Sequence, residues 1–160
     1  MHSLCLSVTI FPRTLRVCWR FHSLTGSVES GVQKLSIRSR ARTEMIDISA
    51  EVQRALEQEK SGASVCTVFV PHTTAAVTIN ENADPSVRVD ILAELNKLVP
   101  FDDGYTHAEG NSAAHVKASL IGSSVSVPVE NGRLCLGAWQ GIFLCEFDGP
   151  RQRQAWIQTR

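Results

Sequence analysis

The chain has 160 residues, 43% of them hydrophobic and 20% charged, with ten glycines and six prolines. That length favours one compact domain able to fold without a disulfide staple, and the composition excludes disorder, collagen-like repeats and coiled coil. Sixteen basic residues balance sixteen acidic ones, and no apolar run approaches the roughly 18 residues of a membrane span, so neither nucleic acid nor membrane is an expected partner.

The balance conceals an asymmetry. Residues 1 to 43 hold seven basic residues (Arg13, Arg16, Arg20, Lys34, Arg38, Arg40, Arg42) against the single acid Glu29, and the first 28 contain no acid at all. This Ser- and Arg-rich stretch has the composition of an organelle transit peptide, or of an extension outside the folded unit; Arg13, Arg16 and Arg20 interrupt any secretory h-region. Residues 1–31 are therefore read as an extension and 32–160 as the domain. Five cysteines form no CxxC pair, which argues against disulfides and thiolate zinc fingers and for a reducing compartment: the cytoplasm, or an organelle if the extension targets one. Cys66, Cys135 and Cys145 lie in apolar runs and are expected to be buried.

Alternation of Leu35, Ile37 and Ala41 with polar neighbours predicts a strand over Gln33 to Arg42. Ser49 is expected to cap a helix with Val52, Ala55 and Leu56 on one side, closed by a left-handed Gly62. Two strands follow, Val65 to Val70 and Ala75 to Ile79, with His72, Thr73 and Thr74 at the break between them. Asp84 and Pro85 open a second helix whose apolar stripe is Ile91, Leu92, Leu95 and Leu98. A loop over 101 to 111 precedes a short helix capped by Asn111 or Ser112 and ended by Gly122. Strands Val125 to Val129 and Arg133 to Trp139 flank a type I′ Asn131-Gly132 turn. Ile142 to Phe147, an Asp148-Gly149-Pro150 turn and a strand around Ala155 to Ile157 complete the chain. The order predicts an α+β fold: one domain, a mainly antiparallel sheet and two to three helices.

Three histidines of the domain, His72, His107 and His115, lie in polar settings at element ends or in the loop. Neutral imidazole is the common nitrogen ligand of zinc, and three protein ligands with an open position suit catalysis. Three unrelated surface histidines give the same pattern. Gly110 followed by small residues at a helix start leaves N–H groups suited to phosphate or pyrophosphate, or is an ordinary capped start. Asn80, Glu81, Asn82 and Asp84 offer oxygens for a phosphate-bound magnesium, or form a solvated loop. No Walker loop, dinucleotide fingerprint or Ser-His-Asp order is present.

Taken in order, His72-Thr73-Thr74-Ala75-Ala76, Asn80 to Pro85, Glu109-Gly110-Asn111-Ser112-Ala113-Ala114-His115-Val116-Lys117, Gly137-Ala138-Trp139-Gln140-Gly141-Ile142 and Glu146-Phe147-Asp148-Gly149-Pro150-Arg151 resemble the YjbQ-like family. Its members are often named secondary thiamine-phosphate synthase enzymes. The resemblance runs from about Gln33 to the C-terminus and departs at Ala138, where the family usually has threonine. It implies a homotrimer with a polar cleft near subunit boundaries, and convergence of His72, His107 and His115 on a divalent metal, zinc first and magnesium with pyrophosphate. Glu109, Asn111 and Lys117 become candidate catalytic residues; Thr73, Thr74, Gly110, Ser112, Trp139, Gln140 and Arg151 become candidate ligand contacts. The implied reaction joins a pyrimidine pyrophosphate to a thiazole phosphate and releases pyrophosphate. A non-catalytic binding module for a phosphorylated metabolite and a metal-assisted hydrolase are the alternatives.

Overall fold

Continuous burial of Gly141 to Phe147 makes this run the centre of the molecule, because each of its faces meets a different apolar layer. The computed structural model describes residues 31–59 and 62–160; the extension over 1–31 therefore lies almost wholly outside the described residues. The described elements are β1 (Gln33–Arg38), β2 (Glu44–Asp47), α1 (Ser49–Gln58), β3 (Val65–Phe69), β4 (Ala75–Glu81), α2 (Pro85–Leu98), α3 (Ser112–Ile121), β5 (Ser124–Glu130), β6 (Arg133–Leu134), β7 (Gln140–Glu146) and β8 (Gln152–Thr159).

The strands form a five-stranded sheet, β1-β8-β3-β5-β6, and a three-stranded sheet, β2-β7-β4, with every pairing antiparallel. Since side chains alternate across a strand, Ala75, Val77, Ile142 and Leu144 join Val68, Val127 and Ile157 in a core that includes Val52 and Ala55 of α1. The intervening Ala76, Phe143 and Cys145 point the other way and pack with Ala114 and Ala118 of α3. Ile91, Leu92 and Leu95 of α2 cover this second layer. The result is the α+β, mainly antiparallel single domain that the pattern predicts, with three helices among the described residues.

Local chemistry sets most boundaries. The Asp84 carboxylate accepts from the Ser86 N–H at 2.8 Å, and Pro85 occupies the first turn of α2. Asn131 and Gly132 have φ of 52° and 74°, as a type I′ turn requires. Gly122 ends α3 with φ of 103°.

Several expectations fail for identifiable reasons. The strand read as Gln33 to Arg42 stops at Arg38, because Ser39 turns inward to bond Glu146 while Ala41 is exposed, and a separate β2 then begins. Ser49 is the first residue of α1, not its cap: its hydroxyl donates to Asp47 Oδ1 and accepts from the Ile142 N–H. Helix α1 ends at Gln58, short of Gly62. Leu98 falls outside the half-buried stripe of Ile91, Leu92 and Leu95 on α2, at 71% exposure. The strand read as Arg133 to Trp139 is only Arg133–Leu134, and Cys135 is exposed although its N–H still donates to the Pro128 carbonyl at 2.8 Å. The buried Cys66 and Cys145 match expectation, and burial pushes their thiols up to about 11 and about 12.

The two sheets are fastened by one ion pair. Glu146 of β7 is fully buried and accepts from Arg153 of β8 through Nε at 2.8 Å and Nη2 at 2.6 Å. The Ser39 hydroxyl and the N–H groups of Phe147 and Asp148 complete its shell, while Arg153 Nη2 also donates to Thr74 Oγ1 at 2.8 Å. Burial opposes ionisation of Glu146, yet the bonds from Arg153, the Asp148 N–H and Ser39 outweigh it and hold the carboxyl below its ordinary value. A Cβ at Gly149 would meet the Ala41 carbonyl oxygen and come within 2.8 Å of Ser39 Oγ, so only glycine fits beneath this network. Arg153→Met, which leaves a buried carboxylate without its cation, is expected to cost about 3–5 kcal/mol in urea denaturation. The double variant Arg153→Met/Glu146→Leu should recover much of that loss; equal stability of the single variant and wild type would contradict the assignment.

Candidate functional site

Loop 99–111 enters α3 through Gly110, whose φ of 68° is the left-handed conformation open to glycine at little cost. Asn111 occupies the N-cap position, but its side chain makes no capping bond. Instead its Nδ2 donates to Asp148 Oδ2 at 3.0 Å, tying the start of α3 to the turn after β7, and its buried Oδ1 has no partner. The helix therefore presents its first N–H groups without a side-chain cap, at the positive end of its dipole.

Two of the three candidate histidines share a cavity with Ser112, the first residue of that helix. His107 and His115 meet edge to face with ring centroids 5.4 Å apart, although eight residues separate them in sequence. Together with Ser112 and Val116 they line an open cavity of about 310 Å³. Glu109 Oε2 lies 3.8 Å from His107 Nε2, with both side chains exposed. Neutral, the two imidazoles offer a proton donor and an acceptor side by side; ionised or metal-bound, they add positive charge beside the helix end.

His72 is placed differently. Its Nε2 accepts the Gln154 N–H at 2.9 Å, so that lone pair is spent on the backbone of β8 and the ring proton belongs on Nδ1. Burial, then the Arg153 charge, hold its imidazole below the ordinary value against the pull of Glu146. Among the described residues no three His, Cys, Asp or Glu side chains are grouped so as to hold a metal ion. The expected convergence of all three histidines is thus not met within one chain: two come together, and the third braces a strand.

Other candidates divide in the same way. Thr74 is buried against Arg153, whereas Thr73 is exposed beside it. Arg151 pairs with Asp148 at 2.6 Å and so reinforces the turn that holds Asn111. The oxygen-rich loop is spent internally: Asn80 Oδ1 accepts from the Glu81 N–H, Asn82 Nδ2 donates to Asp47, and Asp84 caps α2. Trp139 is 69% exposed on a turn closed by Gln140 Oε1, which accepts the Gly137 N–H. In the β4–β7 pairing Ala75 faces Glu146 and Glu81 faces Gln140, so about 20 Å of strand separates Gln140 from Glu146, and the Asp148 turn lies beyond Glu146. They do not join the histidine cavity of the same chain.

Lys117, the candidate catalytic residue two positions after His115, is turned into the interior. It is fully buried; Nζ donates to Asn96 Oδ1 at 2.6 Å and sits 3.7 Å from the Phe101 ring centroid. Burial and the nearby Arg42 charge push its amine down to about 8, and it makes no ion pair among the described residues. From there it does not line the cavity of His107 and His115 in the same chain. Between that value and the ordinary 10.5 the unfolded chain binds the proton that the folded chain has lost, so this group adds stability as pH rises from about 8 to 10.5. Cys66 and Cys145 act oppositely above their ordinary 9.0, so the informative quantity is a difference. The stability of wild type relative to Lys117→Met should improve steadily from pH 8 to pH 10 in denaturant titrations; a flat difference would contradict a buried ammonium.

Comparison with known proteins agrees with this fold and with the order of the motifs. A family model described as "UPF0047 protein YjbQ-like" matches residues 33–160. The UPF0047 protein YugU of Bacillus subtilis is 48% identical over 128 residues, covering 79% of this chain and 97% of its own. The UPF0047 protein MJ1081 of Methanocaldococcus jannaschii is 46% identical over 125 residues, covering 78% and 91%. A solved structure of a YjbQ/UPF0047 protein from Clostridium acetobutylicum superposes with a TM-score of 0.78 at 47% identity, covering 80% of this chain and 99% of that one. Matches that span nearly the whole of their relatives, on an antiparallel fold carrying the motifs in the same order, place this chain in the UPF0047 YjbQ-like family.

Proposed function

We propose that the chain is an enzyme acting on a phosphorylated small molecule at the cavity of His107, Ser112 and His115. The observation that carries this reading is the pair of imidazoles, 5.4 Å apart, over the uncapped start of α3. A phosphate or pyrophosphate there would meet backbone N–H groups and the positive helix end, and the histidines would supply or accept a proton at a bridging oxygen. Glu109, with Oε2 3.8 Å from His107 Nε2, places a carboxylate beside that ring.

Transfer of a pyrimidine from its pyrophosphate to a thiazole phosphate, the reaction implied by the resemblance, needs charge neutralisation on a departing pyrophosphate. This site would offer it through backbone N–H groups and the ring N–H donors of the two histidines. A divalent ion, zinc or magnesium, would add Lewis-acid charge on the same oxygens. Two imidazoles are one short of the usual three protein ligands, so a third donor must come from the phosphate itself or from another copy within a homotrimer.

Calorimetric titration of pyrophosphate, with and without zinc, tests the site. His107→Ala and His115→Ala are expected to weaken binding at least tenfold, and Gly110→Val to weaken it by forcing a β-branched residue toward positive φ. His72→Ala should retain binding if its role is to brace β8. Pyrophosphate released from the two thiamine precursors by wild type but not by His107→Ala would support the transferase reading. Tight binding without turnover would favour a binding module, and absence of binding to wild type would refute the site.

A further inference from the structure

Loop 99–111 carries His107, yet Asp102, Asp103, Gly104, Thr106, Ala108 and Glu109 are all exposed, which leaves little apolar burial to fix its course. Besides the buried Val99 and the Gly110 N–H bond to the His107 carbonyl, one ring in it meets the rest of the fold. Phe101 lies 3.7 Å from Lys117 Nζ and 3.8 Å from Arg42 Cζ, measured to the ring centroid. We propose that Phe101 is a positioning residue, held through its π face by the Lys117 ammonium and the Arg42 guanidinium so that the loop presents His107 against His115. The proposal rests on the reading of that histidine pair as the working site.

The two cations reach the ring from different elements. Lys117 projects from α3, the helix that carries His115, and is anchored to Asn96 of α2. Arg42 comes from the turn between β1 and β2, where its carbonyl accepts the Gly149 N–H at 3.1 Å. Gly149 follows Asp148, which binds Asn111 at the start of α3. The ring is thereby tied to both ends of the structure that must hold the histidines in register: the body of α3 and the turn beneath its N-terminus. The Tyr105 hydroxyl donates to the Pro100 carbonyl at 3.0 Å and folds the loop back on this anchor. Neither cation is ion-paired among the described residues, so the aromatic face is their principal electrostatic partner beyond Asn96. A leucine would fill the volume and lose the cation contact, whereas a tyrosine would keep the ring.

The test is the proton cross-peak between the His107 and His115 rings in the full chain without added metal, whose 5.4 Å centroid separation places ring protons within transfer range. The cross-peak is expected in wild type and in Phe101→Tyr, to weaken at least twofold in Arg42→Met, and to vanish in Phe101→Leu and Lys117→Met while the α3 amide shifts persist. Arg42 is exposed, so its variant remains informative if the core variants fail to fold. Unchanged cross-peaks in Arg42→Met and in folded Phe101→Leu would overturn the proposal. Loss of the cross-peak in a variant set whose wild type binds no pyrophosphate would uphold the clamp and refute the enzymatic reading separately.

Discussion

The start of α3, one side of the histidine cavity, is positioned through the buried contact between Glu146 and Arg153. An ion pair removed from water gains little unless every remaining lone pair and proton is satisfied. Here Ser39, Thr74 and two backbone N–H groups complete the shell. Because its members come from β7, from β8, from the end of β1 and from the entry to β4, the network fixes how the two sheets meet. The residues just beyond it inherit that placement: Asp148 is two positions after Glu146 and binds both Arg151 and Asn111, which sets where α3 begins. His72 belongs to the same neighbourhood and braces β8 at Gln154. A polar network in the core thus determines the location of a site that is itself open to water.

A second buried charge, Lys117, performs a comparable task one layer away. Its neighbours on α3, Ala113, Ala114 and Ala118, are small and buried, which leaves a long side chain room to reach between α2 and α3 to Asn96 and Phe101. Desolvation makes such a lysine costly, and the aromatic face and the amide oxygen offset part of the cost. The strands also separate two groups of polar residues: the histidine cavity lies toward the Glu146 end of β7, and the exposed Trp139 lies at the Gln140 end. Any ligand that touches both would have to bridge more than one chain.

Much of the architecture was legible in the sequence because it depends on short-range rules. Asp84-Pro85 opens α2, Asn131-Gly132 turns β5 into β6, and Gly110 and Gly122 bracket α3 as their spacing suggests. What escaped depends on long-range partners. Strand β2 has four residues and one buried apolar side chain, too short for periodicity to register. Arg153 shares the inward register of Ala155, Ile157 and Thr159, and Lys117 sits on the same helical stripe as Ala113 and Ala114. A charge in phase with a buried stripe was the available signal in both cases, and it points to a buried partner rather than to a surface contact. His72 shows a related ambiguity: a histidine in a polar segment reads the same in sequence whether it binds a metal or, as in this chain, accepts a backbone N–H.

The central claim is that ligand chemistry occurs where His107 and His115 meet over the first turn of α3. A crystal structure of the full chain soaked with pyrophosphate and zinc, with anomalous data at the zinc edge, tests it most directly. The account predicts phosphate oxygens at the Ser112 end of α3 and anomalous density beside the His107 and His115 rings. Ordered pyrophosphate or zinc elsewhere, with that cavity holding only water, would contradict it.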